Sequence, residues 1–277
     1  MPTIVQLAEK LSLLAFLLGS MGATGLTLAP RELAVPLRDR RFVVSALGLN
    51  FLLSPLLAWL LGLFLNLDQS LANGLLLIGG AAGAPFLPKL LEIAHGNLAR
   101  GVAMMALLTA GTLIFLPLAL PRMIEGCDAQ PWEIALPMLL WMILPLVAGM
   151  LVKFSYPSLA LRLAAPLAKF GSIFLLIFFG LLLTEHARAL LGLFGSRAVL
   201  AAALHATILF AAGWWLGRAN TRAGLGLGSA TRNFGAALVP ATTSLRDPQV
   251  ILMLVASAIA GSALSFSAAA WIKRRTA

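Results

Sequence analysis

Ser229, Thr231, Arg232 and Asn233 crowd together in the run Gly224-Leu-Gly-Leu-Gly-Ser-Ala-Thr-Arg-Asn-Phe-Gly-Ala-Ala-Leu-Val-Pro240. Four glycines and a proline stand among them, and the chain on either side is apolar. A guanidinium is planar, stays charged and carries five N–H donors, so Arg232 is suited to clamp a carboxylate or similar oxyanion. The alternative is that it fills the polar gap of a helix break and touches no ligand. A second run, Gly79-Gly-Ala-Ala-Gly-Ala-Pro-Phe-Leu-Pro-Lys89, carries Pro85, Pro88 and another cation, and Glu92 follows Lys89 at i+3. That spacing puts Lys89 and Glu92 on one helix face. They either neutralise each other, or substrate or proton traffic opens the pair and Glu92 becomes a coupling carboxylate. His205, in Ala-Leu-His-Ala-Thr, is either a proton relay or a hydrogen-bonded packing residue. Asn50 is the amide in Leu49-Asn-Phe-Leu-Leu-Ser-Pro55. The expected ligand-binding set is therefore Arg232, Asn233, Lys89, Ser229, Thr231 and Asn50, with Glu92 and His205 for coupling.

Other chemistries are disfavoured. The sequence has no zincin or nucleophile-elbow motif, and its apolar stretches hold no aspartate pair, so no enzyme is expected. Gly224, Gly226 and Gly228 echo a dinucleotide fingerprint, but no strand precedes them, and helix packing explains them better. The single cysteine, Cys127, excludes an intramolecular disulfide and a cysteine-based metal cage. Neither a cofactor nor a bound metal is implied.

The elements that must position these groups are helices in a lipid bilayer. The 277 residues are 60% hydrophobic and 11% charged, with mean hydropathy +0.96, whereas soluble domains carry roughly 25% charged residues. A span needs about 20 apolar residues. About nine stretches qualify, roughly 8–29, 43–66, 71–93, 100–121, 134–152, 169–185, 197–217, 223–244 and 249–271. The first could pass for a signal peptide's core, but Glu9 and the lack of a basic leader favour a span. The net charge of +10 does not point to nucleic acid, because the cations cluster in short alternate loops. Arg38, Arg40 and Arg41, Arg218 and Arg222, and Lys273 to Arg275 share one side, which the positive-inside bias makes cytoplasmic. The N-terminus is then outside and the C-terminus inside. Trp132, Trp214, Trp215 and Trp271 fall near span ends, as interfacial anchors.

Backbone at membrane depth departs from the helix only where it faces protein or a water-filled cavity. The third and eighth stretches are the interrupted ones, one in each half, which is the pattern of a secondary transporter's binding site. An odd span count with breaks at these places suggests an inverted repeat of five spans whose first copy lacks its first helix. The halves would be about 1–125 and 130–277, within a single transmembrane domain.

Leu26-Thr-Leu, Leu49-Asn50-Phe-Leu-Leu-Ser-Pro55, Glu92-Ile-Ala-His-Gly-Asn97-Leu-Ala and Ala230-Thr-Arg-Asn233 together resemble the bile acid:sodium symporter family, in collinear order over nearly the whole chain. The resemblance begins at the second helix of the ten-helix members. It implies an all-α fold of panel and core domains in which two unwound helices cross. It also implies two sodium ions held by a glutamate, a Gln-Asn pair, a Ser-Asn pair and hydroxyls of the next helix. Here the glutamate position is Gly228 and the glutamine Arg232, the Ser-Asn pair becomes Leu87-Pro88, and the hydroxyl positions become Gly101 and Met105. Only Asn233 and Asn50 keep a suitable oxygen, so both sodium sites look dismantled, with Lys89 and Arg232 as fixed cations in their place. The expected function is alternating-access transport of a small or amphipathic organic anion without sodium, in a cell (inner) membrane. An anion channel and a non-transporting receptor or scaffold are the alternatives. No oligomeric state is implied.

Overall fold

The computed structural model describes residues 4–28, 37–124, 127, 129–193 and 197–276, and every regular element among them is a helix. In chain order these are α1 (Ile4–Thr27), α2 (Arg40–Phe64), α3 (Gln69–Gly80), α4 (Leu87–Ile93), α5 (Leu98–Met123), α6 (Pro131–Ser155), α7 (Pro157–Leu193), α8 (Arg197–Leu216), α9 (Arg222–Ala230), α10 (Phe234–Pro240) and α11 (Pro248–Thr276). Seven of them, α1, α2, α5, α6, α7, α8 and α11, are long and apolar enough to cross a membrane. Large apolar side chains face outward along them: Leu52 is 73% exposed, Phe154 86% and Leu161 82%. A water-soluble surface would not carry such side chains in this density, whereas acyl chains cover them.

The expected stretch 169–185 is longer in the structure. Helix α7 begins at Pro157, where a proline suits the first turn, and runs through a Leu- and Ala-rich segment of high helix propensity. Arg162, between two expected spans, and Lys169, at the edge of one, lie on this helix and are exposed; long basic side chains reach polar surroundings along their own stems. Arg31, Glu125 and Asp128, between the expected spans, lie outside the described residues, as do the side chains of Glu185 and Arg188.

The chain gathers into two compact units, each assembled from separated segments: residues 1–29 with 136–194, and 30–135 with 195–277. In the first, α1 lies along α6 and α7 through glycine seams. A Cβ at Gly25 would fall 2.1 Å from the Leu146 carbonyl oxygen, so this close approach admits no side chain. Lys153 closes the seam by donating to the Thr27 carbonyl.

The second unit holds α2–α5 and α8–α11 around a core that includes Leu75, Leu77, Ile78, Leu87, Leu90, Met104, Leu227 and Met253. Asp39 caps α2 by accepting from the Phe42 N–H at 3.2 Å, and Arg100 of α5 donates to the same carboxylate at 3.0 Å. A π-helical turn, Leu49–Leu53, interrupts α2. Its cause is Pro55, which lacks an N–H and crowds the carbonyl four residues back, so the Ser54 N–H reaches five back to Leu49. Leu144 before Pro145 repeats this in α6, bonding back to Leu139.

Candidate functional site

Two helix breaks meet inside the second unit. Helix α3 stops at Gly80 and the chain stays non-helical until α4 begins at Leu87; α9 stops at Ala230 and α10 begins at Phe234. Glycines and prolines dictate the first break. Gly83 sits at φ +84, a left-handed conformation that favours glycine, and Pro85 and Pro88 cannot extend a helix behind them.

Such breaks free backbone carbonyls that must find donors, and four at the first break find them on other elements. The Gly79 carbonyl accepts from Ser54 Oγ at 2.7 Å and Arg232 Nη1 at 3.1 Å. The Ala81 carbonyl accepts from the Asn233 N–H at 2.9 Å. The Ala82 carbonyl accepts from Thr112 Oγ1, and the Gly83 carbonyl from Thr109 Oγ1 and Asn233 Nδ2, at 3.0–3.1 Å. Asn233 therefore laces one break to the other, while its Oδ1 caps α10 at the Ala236 N–H.

Arg232 lies at the centre, 9% exposed. Its Nη2 donates to Asn50 Oδ1 at 2.8 Å and to the Ser229 carbonyl, and its Nη1 to Gly79. Those acceptors come from three elements: the last turns of α3 and α9 and the π-turn of α2. Asn50 is held in turn, donating to the Ala46 carbonyl at 2.8 Å and to Ser229 Oγ at 3.2 Å. Helix C-termini carry about half a negative charge each. Two of them converge on the guanidinium, so their partial charges and its single positive charge roughly cancel. Its Nε–H finds no acceptor among the described residues.

His205 reaches this network at one remove. Its Nε2 lies 3.1 Å from Ser54 Oγ and 3.2 Å from the Ser54 carbonyl. Since Ser54 Oγ donates to Gly79, the compatible tautomer carries the proton on Nε2 and donates to Ser54. Thr231 is buried but turns its hydroxyl back to the Leu227 carbonyl at 2.9 Å.

Lys89 and Glu92 do not join the crossing. They pair with each other at 2.9 Å with side chains 65% and 62% exposed. Lys89 was expected as a second deep cation. Instead its side chain lies outward, because Leu87, Leu90 and Leu91 take the buried face of α4.

The positions that the resemblance assigns to the next helix's hydroxyls, Gly101 and Met105, carry no side-chain oxygen here. The side chains of α5 that reach the break are Thr109 and Thr112, further along the helix, and Gly101 packs against Leu91 instead. Their spacing of three residues on one face of an apolar helix was the available signal. At the break itself, Gly83 and Ala84 line the non-helical segment, whereas Leu87 and Pro88 already belong to α4.

The family model described as Sodium Bile acid symporter family matches residues 13–193, well over half of the chain. The chain belongs to that family. A protein of Oryza sativa subsp. japonica, named as a probable chloroplastic sodium/metabolite cotransporter, is 25% identical over 210 residues. That alignment covers 75% of this chain and 49% of the relative, so the chain spans about half the length of the curated relative it matches. The family is described as one of symporters, and the seven long apolar helices fit a multi-pass membrane protein. The matched residues include the first break; Arg232 lies beyond them.

Proposed function

We propose that this protein is a secondary transporter of a small or amphipathic organic anion, working by alternating access without sodium, and that the Arg232 guanidinium stands where a transported cation would bind. One observation carries the reading: the guanidinium donates to the Gly79 and Ser229 carbonyls and to Asn50 Oδ1 at the meeting of the two breaks. Those are hard oxygen acceptors, of the kind a sodium ion needs. A guanidinium brings the same unit charge and never dissociates. The rice relative is named for sodium, and this chain departs from the pattern that the family resemblance assigns to the ion: Gly228 stands for the glutamate and Arg232 for the glutamine.

In this proposal α3 with α4 and α9 with α10 each cross the membrane as one interrupted span, giving nine spans as an inverted repeat. The first compact unit is the panel and the second the core. The N-terminus is outside and the C-terminus cytoplasmic, in a cell or inner membrane. Ser229, Asn50 and Asn233 hold the crossing, while Thr231 shapes the end of α9. The Nε–H of Arg232 is a donor available to a ligand oxygen. His205 positions Ser54, and through it the Gly79 carbonyl, which couples any change at the histidine to Arg232. Lys89 and Glu92 serve as a surface pair. A carrier fits better than a channel, because protein donors already engage the carbonyls of the first break and leave no free row of them to line a pore.

A panel of carboxylates, sulfates and bile salts tested by thermal stabilisation of the purified protein identifies the substrate class, since a ligand of the native state raises apparent stability. Counter-flow of the best ligand in proteoliposomes, without unitary currents in a planar bilayer, is the result expected of a carrier. Unitary currents, or failure of every anion to bind, would overturn the reading.

A further inference from the structure

Away from the crossing, the second unit contains a cavity of about 380 Å³ between the start of α2, the end of α8 and the start of α9. Arg40, Arg41 and Arg218 line it together with Asp39, Phe42, Val44, Leu216 and Thr221. The one carboxylate in this lining is already engaged, accepting from the Phe42 N–H and from Arg100. Among the described residues no carboxylate pairs with Arg40, Arg41 or Arg218. Three arginines thus share the hollow with a single carboxylate, which Arg100 already holds and whose charge Arg218 also meets, so the lining keeps a net positive charge. The polar wall is built rather than incidental, because Thr221 Oγ1 accepts from the Arg218 N–H at 2.9 Å and fixes that turn.

The other wall is apolar and continues outward. Val44 is 68% exposed and Leu216 51%, and each lies on a long apolar helix. Arg222 stacks over Trp214 at 5.4 Å and Arg275 over Trp271 at 4.3 Å, an aromatic and cationic girdle of the kind found at headgroup level. A cationic hollow that opens onto lipid-facing hydrocarbon calls for a ligand with a phosphate at one end and acyl chains at the other. Guanidinium forks suit phosphate bidentately, and basic pockets between membrane helices accept anionic headgroups.

We infer that this cavity is a binding site for the headgroup of an anionic phospholipid, separate from the transport site. Native mass spectrometry of the full chain tests it, with phosphatidylglycerol, phosphatidylcholine and inorganic phosphate offered in turn. The wild type should retain phosphatidylglycerol over phosphatidylcholine, and inorganic phosphate should not displace it. Arg41→Gln combined with Arg218→Gln should weaken phosphatidylglycerol binding at least about tenfold. Arg162→Gln, an exposed cation of the first unit, should bind as wild type does. A melt in phosphatidylcholine alone checks that the double variant is folded. Unchanged binding by a folded double variant would overturn the site. An equal loss in Arg162→Gln would reduce it to general surface attraction, and displacement by inorganic phosphate would make the ligand a soluble phosphate instead of a lipid.

Discussion

A buried arginine needs its charge and most of its donors answered, and three of the Arg232 N–H groups find the Gly79 and Ser229 carbonyls and Asn50 Oδ1. Arg232→Met would take the named donor from the Ser229 carbonyl and Asn50 Oδ1 and leave Gly79 with Ser54 alone, a loss of about 3–5 kcal/mol by analogy with a broken buried pair. A thermal melt in detergent checks it, and a shift within the noise would mean that the contacts contribute nothing. Lys89 and Glu92 make the opposite case. Their exposed pair should be worth less than about 1 kcal/mol, so Lys89→Gln, Glu92→Gln and the double change should all melt close to wild type. Arg232, Asn233, Ser229 and Asn50 were legible in the sequence because polar groups in apolar helices must find partners. Ser54, Thr109 and Thr112 were not. Hydroxyls in membrane helices commonly bond back one turn, as Thr207 and Thr231 do, so their presence says little about long-range contacts.

At the scale of elements, helix breaks were readable where glycine and proline forbid continuation, and unreadable where propensity alone decides, as in the early start of α7. Gly83 is the stringent test. At φ +84, a Cβ there would fall 2.4 Å from the Thr109 backbone nitrogen, so strain and clash act together. Gly83→Ala should destabilise by at least about 1–3 kcal/mol, whereas Gly224→Ala, which meets open space, should not. A pair of melts separates them, and equal shifts would contradict the geometry of the break. The start of α2 makes a prediction about pH. The Phe42 N–H first, and Arg100 second, hold the Asp39 carboxyl below its ordinary value of 3.8. A lowered carboxylate contributes stability that is present above that ordinary value and lost as pH falls through the folded one. Asp39→Asn keeps a capping oxygen but no charge, so its melting temperature should fall less than the wild type's between about pH 5 and 3. Parallel slopes would show that the charge contributes nothing.

For the whole molecule, the sequence revealed a greasy helical chain with two interrupted stretches, but not its division into two units. Contacts between residues 1–29 and 136–194 are long-range in sequence, and glycine seams such as Gly25 leave no periodic signature that names their partner. The topology is testable in a Cys127→Ser background. An impermeant thiol reagent applied to intact cells should label Gln130→Cys and miss Arg40→Cys, and the reverse pattern would invert the membrane orientation. The claim that everything else depends on is that a fixed charge has replaced a mobile one. The direct measurement is a thermal melt of wild type and Arg232→Gln at fixed ionic strength, with sodium exchanged for choline. Wild type should melt at the same temperature in both, and Arg232→Gln, its carbonyl cluster opened to a small cation, should be stabilised by sodium. Sodium stabilising the wild type would contradict the account, because the acceptors assigned to Arg232 would then be shared with an ion.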